Sequence, residues 1–347
     1  MPIYSIDGSY ISYAIVGDLT SFDNTLYVAL IAGECQATDL VDADLGRIGI
    51  TYSDPETAEA RHMTASPYTT RYTTGYKIAS VALPMYLQTG VFLYALLGTC
   101  ATTGSYTHTI ALNTSQTPIF FAFHWEKELT SQDLRYDFFG FMPKTWNLSC
   151  GDDKARWKAK QKFIADFACS DATAGDLAEP AKLTLENYDW SDLMHASGAL
   201  TIKYNGTDLE FEIHGFDLTL TRTNPLWGAR NATGFPAAAY VAGLGIDLKL
   251  DGYVTGDNVR TLMATKPEDY ASTYLDVSIV FYKSATRSFT ITLSNVYLIP
   301  DEDVMNATDW YEKKTLKIVS FGSTVAAPTS VSAVVLDALD ATYYENP

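Results

Sequence analysis

The chain has 347 residues, 47% hydrophobic and 19% charged, a balance that supports a folded protein large enough for two cores. A formal net charge of −17 and a pI near 4.6 set its surface against a phosphate backbone and disfavour ordinary nucleic-acid binding, although a wall that does not grip a polyanion lets one slide. Aromatic residues make up 13%, and with abundant Thr, Ser and Val they lean toward β structure with little helix.

The start, Met1 to Asp7, has no basic run followed by an apolar core, so no secretory signal is expected, and no stretch approaches the ~20 apolar residues that span a bilayer. The first strands are expected over Tyr27 to Ala32 and Ile48 to Tyr52. Ser53 to Thr74 follows, polar, without apolar periodicity and holding Pro55 and Pro67, which reads as a long functional loop. An apolar strand, Ile78 to Pro84, then leads into a short helix over Phe92 to Gly98. Strands over Ile119 to Trp125, Leu134 to Phe141 and Thr145 to Leu148 come next.

Lys154, Arg156, Lys158, Lys160 and Lys162 then fall at alternate positions, with Ala155, Trp157, Ala159, Gln161 and Phe163 between them. That period of two predicts a strand with one cationic face and one packing face. The stripe is either a lysine-protected edge strand facing water or an ionic contact with an acidic face of a neighbouring subunit.

After a polar linker near Ser170 to Pro180, Leu200, Ile202 and Tyr204 precede Asn205-Gly206, and Leu209, Phe211 and Ile213 follow it. Asn-Gly favours a primed turn, so a hairpin is expected with one face buried. Leu218 to Thr221 predicts a strand, and Asn224 to Pro236 a second long loop. A strand over Leu244 to Leu250, a short helix over Asn258 to Met263, and strands over Val277 to Tyr282, Phe289 to Leu293 and Thr315 to Phe321 complete the series. Val331 to Leu336 is a last strand, added to its own domain or to a neighbour.

The order strand, short helix, alternating strands occurs twice. Ala155 to Phe167 lies on Asp309 to Phe321 without a gap, Trp157 on Tyr311, and both long loops hold the same place in the order. An internal duplication is expected. The boundaries drawn from it are a first β domain over 1–172, a linker over 173–182, a second β domain over 183–322 and a C-terminal arm over 323–347. The expected fold class is all-β, two tandem sandwich or barrel domains with one short helix per repeat.

Motifs that carry chemistry are missing: there is no G-x-S-x-G, H-E-x-x-H, Walker A or G-x-G-x-x-G sequence. His62, His108, His124, His195 and His214 lack ligand-like spacing. Asp152-Asp153 and Asp301-Glu302-Asp303 lack that of a calcium loop and read as solvated turns. Cys35, Cys100, Cys150 and Cys169 form no C-x-x-C pair and are expected as free thiols. No catalysis, metal or cofactor is expected. The aromatic residues leave open a different reading, a monomeric carbohydrate- or surface-binding β-sandwich.

The block from Phe92 to Phe167 resembles the tail tube proteins (major tail proteins) of long-tailed bacteriophages. The resembling pieces are Leu96-Leu97-Gly98 after the helix, Tyr106-Thr107-His108-Thr109, the run Pro118 to Glu126, and Leu134 to Gly140 with alternating Met142 to Leu148. The resemblance implies a virion protein, assembled in the host cytoplasm, whose β domains form stacked rings around a channel for DNA. Single-domain members form six-subunit rings, so a duplicated chain implies three copies in a pseudo-hexameric ring with an acidic lumen, roughly −51 per ring at −17 per copy. The implied partners are other copies of the chain, tape measure and tail terminator proteins, and viral DNA in transit, with no membrane. In this reading Lys154, Arg156, Lys158, Lys160 and Lys162 are the candidate inter-subunit strand. The two long loops supply candidate inter-ring residues: Asp54, Glu56, Glu59, Arg61, Tyr68 and Arg71 in the first, Trp227, Arg230 and Asn231 in the second.

Overall fold

The structure is a computed structural model and describes residues 10–16, 49–53, 59–61, 71–73, 78–104, 106–113, 119–127, 134–153, 157–167, 170–172, 186–195, 200–204, 206–222, 226–230, 236–239, 243–264, 275–299, 313–320, 329–337, 339 and 344. The expected strand over Tyr27 to Ala32 and the linker over 173–182 lie outside them.

The first half runs β1 (Tyr10–Val16), β2 (Gly49–Ser53), β3 (Glu59–Arg61), β4 (Arg71–Thr73), β5 (Ile78–Tyr86), helix α1 (Val91–Leu97), β6 (Gly98–Thr103), β7 (Thr107–Leu112), β8 (Phe120–Lys127), β9 (Leu134–Gly151), β10 (Lys160–Phe167) and β11 (Ser170–Ala172). The second half opens with helix α2 (Trp190–His195), β12 (Leu200–Tyr204), β13 (Thr207–Asp208), β14 (Phe211–Arg222), β15 (Leu226–Arg230) and β16 (Pro236–Ala239). It continues with β17 (Leu244–Val254), helix α3 (Asp257–Ala264), β18 (Leu275–Ser284), β19 (Arg287–Ile299), β20 (Lys313–Val319) and β21 (Ser330–Leu336). The protein is all-β, and antiparallel pairings join 17 of these strands into one network.

The network has two layers. A central sheet runs β2-β5-β10-β9-β14-β17-β20-β19. Over it lie two outer sheets, β1-β8-β9-β11 and β13-β12-β18-β19-β21-β7-β6. β9 and β19 belong to both layers. β9 pairs with β8 at its start and with β10 and β14 at its end; β19 pairs with β18 and β21 first and with β20 over Tyr297 to Ile299. A register shift marks each change of sheet, between Phe121 and Ala122 opposite β9 and between Leu275 and Val277 opposite β19. Bulges bend strands in this way and let one strand serve two sheets.

The inward positions of the central sheet are apolar and fully buried: Leu83, Phe163, Trp146, Leu218, Leu248 and Ile318 among them. Phe163 meets Phe92 of α1 at 5.0 Å and Phe121 of β8 at 5.4 Å, an aromatic trio joining both layers and the helix. In the second half Tyr188, Phe216, Phe281 and Phe289 do the same between layers. Burying each such ring is worth about 1.5–3 kcal/mol.

Helix α1 is apolar on every side, Val91-Phe92-Leu93-Tyr94-Ala95-Leu96-Leu97, so it is stable only where it is enclosed, and all seven residues are buried. It stops at Gly98, whose φ of 95° closes an αL cap with its N–H on the Tyr94 carbonyl. A second carbonyl of its last turn, that of Leu96, accepts from Arg222 Nη1 on β14. Arg222 is buried, and desolvation lowers its pKa to about 10.

Three expectations are corrected. The strands expected over Leu134 to Phe141 and Thr145 to Leu148 are one 18-residue strand, β9, because the irregularity near Lys144 shifts the register without ending the ladder. The expected hairpin closes with Tyr204 opposite Thr207 and Gly206 at φ 78°, but its return strand β13 is two residues long; Phe211 and Ile213 belong to β14 in the central sheet. The count of one helix per repeat omits α2, whose start is capped by Asp189, its carboxylate accepting from the N–H groups of Ser191 and Asp192.

Candidate assembly surface

In a strand, one face is set by every second residue. With Leu83, Phe163, Trp146 and Leu218 turned inward, the alternate residues form the second face of the central sheet. Lys160 and Lys162 stand on β10, Asn147 and Ser149 on β9, Asp217, Thr219 and Thr221 on β14. Asp247, Lys249 and Asp251 follow on β17, Thr315 and Lys317 on β20. Lys162, Thr221, Lys249, Thr315 and Lys317 are exposed. Asn147 Nδ2 donates to Asp217 Oδ1 at 2.5 Å and to Thr219 Oγ1 at 2.9 Å, tying β9 to β14. Thr315 donates to Asp251 at 2.7 Å, and Lys317 lies 3.9 Å from Asp247. This face is polar and of mixed sign.

The predicted cationic strand is placed in part. Lys154 and Arg156 lie outside the described residues. β10 begins at Lys160, while Lys158 precedes it in an isolated bridge to Asp189, its Nζ 4.2 Å from the Tyr86 ring centroid. Ala159, Gln161 and Phe163 are buried as the alternation requires, and Lys162 is exposed. The edge-strand alternative falls, because β10 sits between β5 and β9.

The gapless alignment of the two halves also needs correction. It sets fully buried Phe163 on Lys317, which is about half exposed. Moving it by one residue sets Phe163 on Leu316, Ala165 on Ile318 and Trp157 on Trp310, and matches the starts of β10 and β20, Lys160 with Lys313. The residue earlier set against Lys162, Leu316, is core.

Of the predicted loop residues, Asp54, Glu56, Tyr68 and Asn231 lie outside the described residues. Glu59, Arg61 and Arg71 stand on the β3–β4 hairpin, where Glu59 is opposite Thr73 and Arg61 opposite Arg71. Trp227 and Arg230 stand on the β15–β16 hairpin, opposite Ala238 and Pro236. The first stretch read as a loop thus holds a separate two-stranded sheet, and the second holds β15 and the start of its partner β16.

The central sheet is built from two blocks with one connection pattern. β2-β5-β10-β9 and β14-β17-β20-β19 both read first, second, fourth, third in chain order. In each block a hairpin, β3–β4 or β15–β16, lies between the first and second strands, and a helix, α1 or α3, follows the second. The blocks join at a seam where β9 and β14 share seven register pairs, from Thr145↔Thr221 to Gly151↔Gly215. The outer layer crosses the same seam, since β7 of the first half pairs with β21 after the second.

That crossing carries a buried cluster the sequence reading missed. His108 Nε2 donates to the Leu339 carbonyl at 2.9 Å and lies 3.4 Å from Asp337 Oδ1, both side chains wholly buried. Tyr344 stacks on the His108 ring, donates to Asp337 at 2.6 Å and accepts from the Gly90 N–H at 3.0 Å. Gly90 has no room for a Cβ, which would stand 2.8 Å from Val335 and 2.9 Å from Ile110. The Tyr106 to Thr109 motif was the available signal, since a histidine amid β-branched residues needs buried partners.

Among the described residues no group of three or more His, Cys, Asp or Glu could hold a metal ion. No protein-family model matches this sequence, and no curated protein matches it.

Proposed function

We propose that this protein is a structural, self-assembling subunit of a hollow tube, of the kind that the tail tube proteins of long-tailed bacteriophages represent. The observation that carries the reading is the central sheet, in which one four-strand unit stands twice, side by side, in one continuous ladder. A unit that already joins edge to edge with its like inside the chain is suited to repeat that join between chains.

In this reading the two halves arose by duplication and three copies form a pseudo-hexameric ring, so that three chains supply six units. Rings stack through the two long loops, with their hairpins, into a virion tail tube. DNA slides through a lumen to which it does not bind, repelled by a ring charge of roughly −51 from three copies. Tape measure and terminator proteins are the expected further partners. Support comes from the absence of the usual catalytic motifs in the sequence and the equivalent placement of the two hairpins.

Negative-stain electron microscopy of the purified, concentrated protein tests the reading. Hollow tubes or rings with threefold or sixfold end views are the expected result. Dispersed monomers at every concentration, with measurable affinity for glycans, would overturn it in favour of a carbohydrate-binding sandwich.

A further inference from the structure

We infer that successive copies join through β19 of one copy and β2 of the next, antiparallel, in the register that β9 and β14 use inside the chain. The inference rests on the tube reading and names the surface that closes the ring.

Among the described residues β2 and β19 end the strand order of the central sheet, β19 lying beside β20 over Tyr297 to Ile299. Their counterparts in the two blocks are β14 and β9, the strands that form the internal seam. The two ends of the sheet are therefore the same two kinds of edge that the chain already fits together. Eight antiparallel strands, an even number, leave β2 and β19 running in opposite senses. The next copy's β2 then meets β19 antiparallel without any inversion. Such a contact uses unlike surfaces and repeats head to tail, the condition for a closed ring.

Register follows from the ladders. In the first block, Thr145 of β9 is opposite Ile164 of β10, which is opposite Ala82 of β5. The corresponding row of the second block, with Phe163 matched to Leu316, is Ile299, Lys317 and Lys249. Likewise Thr221, opposite Gly245, corresponds to Ser53, opposite Ile78. The internal pair Thr145↔Thr221 thus predicts Ile299 of one copy opposite Ser53 of the next. Ile299 is an exposed large hydrophobic residue, 39% accessible, at this edge of the molecule.

The internal seam is doubled by the β7–β21 ladder and by Arg222 on the Leu96 carbonyl.

Directly opposed residues of an antiparallel pair have Cα atoms about 4.5–5.5 Å apart, within disulfide reach. The test is the Ser53→Cys/Ile299→Cys double variant, oxidised mildly after assembly and run without reductant. Covalent products that climb to three chains and stop are expected. Mixing the two single variants should give covalent dimers only, and each single variant alone none. Thr145→Cys/Thr221→Cys, closing within one chain, shows that the sheet has folded. Tubes that form by microscopy without the Ser53–Ile299 crosslink, while Thr145–Thr221 closes, overturn the seam and leave the tube reading intact. Neither tubes nor crosslinks remove both, and products climbing past three chains uphold the seam but not the trimer.

Discussion

Asp337 shows how few atoms tie the last strand to the first half of the chain. Its two oxygens accept from Leu339 N–H and Tyr344 O–H, and His108 lies beside them, all in the buried interior. Removing the carboxylate orphans each donor in a dry site. Asp337→Ala should therefore lower the unfolding free energy by about 3 kcal/mol, read as a shift of the urea midpoint at unchanged slope. Nearby, burial raises the Cys100 thiol from 9.0 to about 11, with the Thr102 hydrogen bond lowering it and the Asp337 charge adding to the rise. Since the folded-state value is the higher one, the thiol's contribution is complete below pH 9 and disappears as pH climbs toward 11. Unfolding curves of wild type and Cys100→Ser should converge across that window; parallel curves would show that the thiol does not titrate there.

At the scale of elements, period-two patterns were legible wherever one face is core. The alternation Ala159, Gln161, Phe163 is buried residue by residue, and Phe92 to Leu97 could be nothing but an enclosed helix. What escaped the sequence reading depended on tertiary partners. β9 was read as two strands because its bulge interrupts the alternation, and only β10 and β14 on either side hold it together. β10 was weighed as an edge because its lysines resemble edge protection; they instead occupy the open face of an interior strand. The two-residue β13 gives no periodicity at all. The hairpins β3–β4 and β15–β16 hid inside polar stretches for the same reason. If they bridge rings, shortening Ser53 to Thr74 or Asn224 to Pro236 should leave a folded protein, unchanged by circular dichroism, that forms no tubes; tubes from both deletions would end that assignment.

For the whole molecule, the net negative charge is not concentrated on the described residues of the central sheet's second face. Its open face sets Lys160, Lys162, Lys249 and Lys317 among Asp217, Asp247 and Asp251. Composition fixes net charge and says nothing of its distribution, so the sign of any one face has to be read from the strands. Opposed charges on neighbouring strands hold register more than they repel a polymer, and the −17 of the chain acts at longer range, weakened beyond about 8 Å at physiological salt.

The position of β21, between β19 and β7, bears on how the protein is made. Synthesis delivers strands in order, and β21, which locks the outer layer over both halves, comes after both strands it joins. Until residues 330–344 leave the ribosome, β7 and β19 each lack a neighbour, and the niche beside Gly90 stands open. Displacing Tyr344 should leave that niche unfilled and loosen the hold of β21 on both halves, seen as earlier unfolding of the outer layer in hydrogen exchange.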